Sequence, residues 1–293
     1  MFHICHGTIF SQILQENESP PRITLERTEI RLLHSEIVGQ DFELYVSLPN
    51  NYSKSNTNYP VIFVLDPYRD FLIMKGISDV LASSQIIPEV ILVGIGYGGE
   101  GFNAFINYAL GRLRDYTPVQ DTAKEEWSRK AAENLGIDDI NIISGGSPSF
   151  LEFIRKELFP FMESNYHINS KDRMLSGYSD GGLFGLYVLF HDPDLFDKYL
   201  IGSPSIYYKD GILLEYESNY ATTHEDLKAE VFMSSGELEE VTAENIKKMS
   251  NQLNSRNYEN LKLNTIIFEN ESHETCYPVF INRGLRELNY DDE

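Results

Sequence analysis

The chain has 293 residues, with 24 Lys+Arg against 45 Asp+Glu for a formal net charge of −21; 42% of its residues are hydrophobic and 24% charged. That balance supports a full hydrophobic core, and a single α/β domain can absorb the length. It excludes the clustered basic surface that a phosphate backbone demands and disfavours an anionic membrane surface, so neither nucleic acid nor membrane is expected as a partner.

Taken in order, residues 1–22 are polar, contain Pro20-Pro21 and are expected as an N-terminal arm, leaving 23–293 as one domain. Alternating segments at 28–33 and 42–48 predict half-buried strands that close in the turn Pro49-Asn50-Asn51. Apolar runs at 61–65 and 90–95 predict strands buried on both faces, with a helix at 70–84 between them. Residues 98–146 break this rhythm. They contain an amphipathic helix at 124–134 but no clear strand before Ile140. Connections of such length usually cover a site or lack order, so a lid-like insertion is expected. Ser147 as N-cap and Pro148 at the first helical position then open a helix over 148–164. Strands at 173–176, 198–201, 230–233 and 263–268 follow, with helices at 181–191, 242–254 and 275–287. Such alternation predicts a mostly parallel twisted sheet covered by helices on both faces.

Gly177-Tyr178-Ser179-Asp180-Gly181 matches G-x-S-x-G. Chance alone yields this pattern about once in ten chains of this length. Its setting sharpens it: an apolar strand leads in and a helix leads out, as required for a serine presented on a strained turn. The bland alternative is an ordinary glycine-rich turn with a capping serine. A serine nucleophile needs a general base and a group to orient that base, in the chain order Ser, Asp or Glu, His. Beyond the helix at 181–191 that leads out of the turn, only His224 and His273 follow Ser179. His224 sits in a polar stretch and is expected to be solvated, whereas His273 follows the last apolar strand, where a base can reach the serine. The acid is sought beyond the 230–233 strand, where Glu239 is preferred for its reach, Glu237 is the alternative and Glu240 a weaker third. Two N–H groups must meet the developing oxyanion. Asp180 is expected to supply one and Tyr68 the other, because Pro67 has no N–H.

Gly96-Tyr97-Gly98-Gly99-Glu100-Gly101 satisfies G-x-G-x-x-G. A dinucleotide site would need a strand ending near Asp115, and residues 112–114 do not form one. No cofactor is expected, and no His/Cys/carboxylate cluster has metal-ligand spacing. Two cysteines, Cys5 and Cys276, exclude a disulfide framework, and a bridge between them is not expected. No basic residue precedes Arg22 and no run approaches the ~18 apolar residues of a membrane span, so a cytoplasmic location is expected. The pattern specifies no oligomeric state.

These residues resemble the esterase D-like branch of the α/β-hydrolases, particularly the siderophore (enterochelin-type) esterases, over roughly 40–285. The likeness rests on Leu65-Asp66, Val93-Gly94-Ile95-Gly96, Arg114-Asp115-Tyr116-Thr117-Pro118, Glu157-Leu158-Phe159-Pro160-Phe161, Gly177 to Gly182 and Gly202-Ser203-Pro204-Ser205. It implies ester hydrolysis by a Ser–His pair whose acid is sometimes poorly placed, a small-molecule ester as substrate, and Tyr68 as oxyanion donor. Two departures bear on the oxyanion loop: Pro67 replaces the usual glycine, and Asp180 stands where relatives carry Leu or Met. Arg112, Arg114 and Ser203 are candidate substrate contacts; alternatively the arginines pair with acids such as Asp115 and Trp127 packs a satellite core. An acyltransferase using the same triad, or a binding protein on a hydrolase scaffold, are the competing functions.

Overall fold

The alternating segments near the start form an antiparallel pair, β1 (Thr28–Ser35) and β2 (Gln40–Ser47), in the computed structural model, which describes residues 24–52, 57–137 and 140–289. The N-terminal arm and Cys5 lie outside the described residues. Phe42, Leu44 and Val46 of β2 point inward and are fully buried, while Ile30 and Leu32 of the edge strand β1 face outward. The remaining strands are β3 (Tyr59–Val64), β4 (Ile91–Gly96), β5 (Ile168–Tyr178), β6 (Lys198–Gly202), β7 (Ala229–Gly236) and β8 (Leu261–Phe268). They complete an eight-stranded sheet of order β1-β2-β4-β3-β5-β6-β7-β8. β2 pairs antiparallel with β4, and every later pairing is parallel.

Each parallel crossover carries a helix back over the sheet. α1 (Pro67–Ser83) and α9 (Cys276–Glu287) cover one face, packing Phe71, Met74, Phe280, Ile281 and Leu285 against Ile62, Leu92 and Leu200. The larger core on the other face takes α4 (Ser147–Phe153), α5 (Phe159–Asn165), α6 (Asp180–His191) and α8 (Glu240–Arg256). Buried apolar side chains such as Leu183, Phe184 and Leu189 contribute roughly 1.5–3 kcal/mol each.

Three sequence expectations need correction. α2 (Gly101–Asp115) and α7 (Ile212–Thr223) were not foreseen; α2 has Glu100 and α7 has Gly211 at the N-cap, and neither makes a side-chain cap hydrogen bond. The helix over 148–164 is three pieces, with a π-helical turn at Ile154–Leu158 joining α4 to α5. Gly146 rather than Ser147 caps α4, and the Ser147 hydroxyl instead donates to the carbonyl of Asp115 at 3.0 Å. The 124–134 helix is present as α3 (Thr122–Asn134), capped by Asp121, whose carboxylate accepts from the N–H groups of Ala123 and Lys124. No helix among the described residues is long and apolar enough to cross a membrane.

Candidate active site

The carboxyl ends of the parallel strands gather the polar groups, where open α/β sheets bind ligands. β5 ends at Tyr178 and α6 begins at Asp180, so one residue, Ser179, makes the entire turn. It adopts φ 60° and ψ −119°, a conformation L-residues rarely hold. Backbone bonds pin it there: its N–H donates to Gly202 O at 2.9 Å, and its carbonyl accepts from Leu183 at 3.0 Å and Ser205 at 3.2 Å. The crossing is so tight that a Cβ on Gly177 would lie 2.3 Å from the carbonyl oxygen of Gly181.

β8 delivers His273 in the loop before α9, and β7 delivers Glu239 at the start of α8. His273 Nδ1 lies 2.6 Å from Glu239 Oε2. A carboxylate can only accept, so Nδ1 carries the hydrogen and the Nε2 lone pair is left free. The other oxygen of Glu239 accepts from Ser203 Oγ at 2.7 Å and from the Gly236 N–H at 2.9 Å. Burial raises the Glu239 carboxyl, but the bonds from His273, Gly236 and Ser203 outweigh it and hold it below its ordinary value. Glu237 points elsewhere and accepts from the backbone N–H of Asn270. Tyr178 joins this pair to the serine turn: its hydroxyl donates to the His273 carbonyl at 2.7 Å, and its ring lies 5.0 Å from the imidazole. His224 stacks on Tyr220 at the end of α7, away from this cluster.

The two oxyanion candidates both sit in first turns of helices. Pro67 does not disturb its loop. It occupies the first position of α1, where its missing N–H would have no partner in any case. Room for its ring comes from Gly94 on β4, where a Cβ would lie 2.5 Å from Pro67 Cβ. The N–H groups of Tyr68 and Asp180 have no acceptor among the described residues. The Asp180 side chain turns back into the protein, accepting from Arg112 at 3.0 Å, Lys124 at 2.8 Å and Ser205 at 2.8 Å. Burial raises its carboxyl, but Arg112 and Lys124 outweigh that and leave it below its ordinary value.

Three expected substrate contacts are placed differently. Ser203 is buried behind the site, with its hydroxyl on Glu239 and 2.8 Å from the Tyr178 oxygen. Arg114 pairs with Asp115 and donates to Gln40, the local pairing weighed above. Arg112 spends its guanidinium on Asp66, Asp180 and the Tyr178 carbonyl. Trp127 packs no satellite core; it is 71% exposed. The supporting roles of Tyr178, Ser205, Lys124 and Asp66 were not read from the sequence. Only the Gly202-Ser203-Pro204-Ser205 string signalled that small polar groups would sit beside the turn. A cavity of about 530 Å³ lined by Gln40, Glu43, Tyr97, Asn107 and Arg114 includes none of the serine, histidine and glutamate groups. α2 does open at Gly101 after the glycine-rich turn, yet no strand follows it before β5 among the described residues.

The esterase family model matches residues 35–137 and 118–273. The ferri-bacillibactin esterase of Bacillus subtilis is 28% identical over 281 residues, covering 90% of either chain. The crystal structure of the BES protein from Bacillus cereus superposes with a TM-score of 0.79 at 28% identity, over 94% of this chain and 100% of that one. The siderophore hydrolase EstB of Aspergillus nidulans, 20% identical, shares the fold with a TM-score of 0.73 over 93% and 97% of the two chains. A strained serine turn at the edge of a mostly parallel sheet, and these likenesses along nearly the whole chain, lead to one assignment: the chain belongs to the esterase family of α/β-hydrolases and is a carboxylic ester hydrolase.

Proposed function

We propose that the chain hydrolyses a siderophore ester through an acyl-enzyme on Ser179. The observation that carries the mechanism is the His273–Glu239 pair, held by Tyr178 against the turn that presents the serine. Ser179 Oγ attacks the ester carbonyl carbon as its proton passes to His273 Nε2, and Glu239 steadies the imidazolium that forms. The N–H groups of Tyr68 and Asp180 receive the oxyanion. Collapse of the tetrahedral intermediate breaks the C–O bond, and the leaving alkoxide takes the proton from His273. Water then repeats the sequence and frees the serine. The siderophore substrate is supported by the relative's own activity on ferri-bacillibactin, as its name states. Residues 98–146 act as a cover that helps choose the ester; Tyr108 of α2 stacks on Tyr68 with ring centroids 5.6 Å apart. A cytoplasmic setting agrees with the sparing use of cysteine.

The test pairs Ser179→Ala with a substrate panel. Hydrolysis of an activated aryl ester should fall ~10⁴–10⁶-fold in the variant, and labelling by a fluorophosphonate should vanish. Retained activity would refute the nucleophile. Among natural esters, ferric catecholate trilactones should be cleaved faster than simple acyl esters; the reverse order would remove the siderophore assignment. Added alcohols should leave hydrolysis dominant, whereas accumulation of transesterified product would mark an acyltransferase.

A further inference from the structure

Arg112 lies at the one point where the cover, the α1 turn and the nucleophile turn meet. Its side chain is only 17% exposed, and every guanidinium nitrogen is engaged by the protein. Nε donates to both carboxylate oxygens of Asp66 at 2.9 and 3.0 Å. Nη1 donates to Asp180 at 3.0 Å and Nη2 to the Tyr178 carbonyl at 3.3 Å. Three of its five N–H groups are thus spent on the protein, from all three nitrogens. What it binds is telling. Asp66 caps α1 in the left-handed region, φ 55° and ψ 42°, and its carbonyl accepts from the N–H groups of Arg69 and Asp70. Tyr68 follows two residues later, so the placement of Asp66 fixes where the Tyr68 N–H points. Asp180 carries the second N–H. One planar fork therefore sets the spacing between the two donors, which a flexible ammonium could not do as well.

Charge adds a second reason. The Asp180 carboxylate belongs to the same residue as an oxyanion donor, and an uncompensated anion there would oppose the charge developing on the substrate. Arg112 from α2 and Lys124 from α3 both neutralise it.

We infer that Arg112, assisted by Lys124, is a positioning residue for the oxyanion hole: it locks the Tyr68 and Asp180 N–H groups at a fixed separation and cancels the Asp180 charge. This rests on the Ser179 mechanism proposed above. Arg112→Lys keeps the charge and loses the fork. It should lower kcat on an activated aryl ester by about 10²-fold with KM changed less than about threefold, on the scale of losing one oxyanion donor. Affinity for benzeneboronic acid, which forms a tetrahedral adduct with the serine, should fall in parallel with kcat. Lys124→Met should lower kcat by about 3–10-fold, and that cost should disappear in an Asp180→Asn background, because the charge being cancelled is then gone. A rise in KM with kcat preserved would show instead that Arg112 holds substrate and would overturn the inference. So would a fall in kcat with boronate affinity unchanged. Should Arg112→Lys fail to fold, as judged by circular dichroism, the Lys124 and Asp180 cycle decides the matter at a partly exposed ion pair. If Ser179→Ala stays active, the mechanism itself falls; if Ser179→Ala is inert and these variants keep full kcat, only the positioning role falls.

Discussion

The turn that carries Ser179 and the α2–α3 segment beside it are built on opposite principles. Every residue of α6 from Asp180 to Phe190 is buried, so the element behind the serine is held by apolar packing on all sides. In α3 only Glu125 and Ala132 are buried, and Trp127 stands in solvent. What ties α3 down is polar: Lys124 to Asp180, Glu125 to Ser144, and Lys209 to Asp121. The boundary runs through α2, whose last turns bury Gly111, Leu113 and Asp115 while Phe102 and Phe105 near its start are exposed. Apolar packing on all sides resists displacement, whereas a few partly exposed polar contacts leave the rest of a helix open to solvent. The serine turn is thus held by the core, and the α3 segment is tied to it by a few charges.

That contrast can be tested from its strongest consequence downward. Glu239→Gln should cost about 10²–10⁴ in kcat by removing the charge that orients His273, whereas Glu237→Gln should remain within twofold of the parent. The same variant has a pH signature. The folded-state value of Glu239 is depressed, so its stabilising contribution is fully present above the ordinary carboxylate range of about 4 and is lost as pH falls through the depressed value. The Tm difference between parent and Glu239→Gln should therefore be constant near neutrality and shrink in acid; a difference that grows in acid would reverse the assignment.

Gly177→Ala attacks the packed side. The added Cβ meets backbone that cannot yield, so a loss of about 3 kcal/mol or more is expected by urea unfolding, with activity falling alongside. An unchanged midpoint would show the turn to be looser than its contacts imply. On the cover side, a short Gly-Ser linker in place of residues 124–134 should alter kcat/KM unevenly, large siderophore esters more than a small acetyl ester, with Tm nearly unchanged. A uniform loss, or a large fall in Tm, would make the segment structural. Smallest of all, Trp127→Ala should change stability by no more than about 0.5 kcal/mol, since the ring contributes almost nothing to the core.

All eight strands were legible in the sequence because each is an apolar or alternating run bounded by turns. Ser179 was legible as a local motif, and His273 because strand order dictates which loop can reach it. α2 was missed because its start, Gly98-Gly99-Glu100-Gly101, reads as a loop, and α7 because Gly211 at φ 86° opens it without a Ser, Thr or Asp cap. The partners of Arg112 lay beyond any local pattern, at separations of 46 and 68 residues from Asp66 and Asp180. An arginine in an acidic chain looks free until the fold brings carboxylates to it. Between Glu239 and Glu237, reach beyond the strand favoured Glu239; both leave the end of β7, and the start of α8 turns Glu239 towards the imidazole.

The backbone at Ser179 sets evolution a conflict. A side chain at φ 60° and ψ −119° is strained by roughly 1–3 kcal/mol, and glycine would occupy the same position at ease. Ser179→Gly should therefore yield an inert protein that is harder to unfold than its parent. Selection for durability alone would drift towards that glycine; on the mechanism proposed above, the demand for turnover is what keeps a serine at this position.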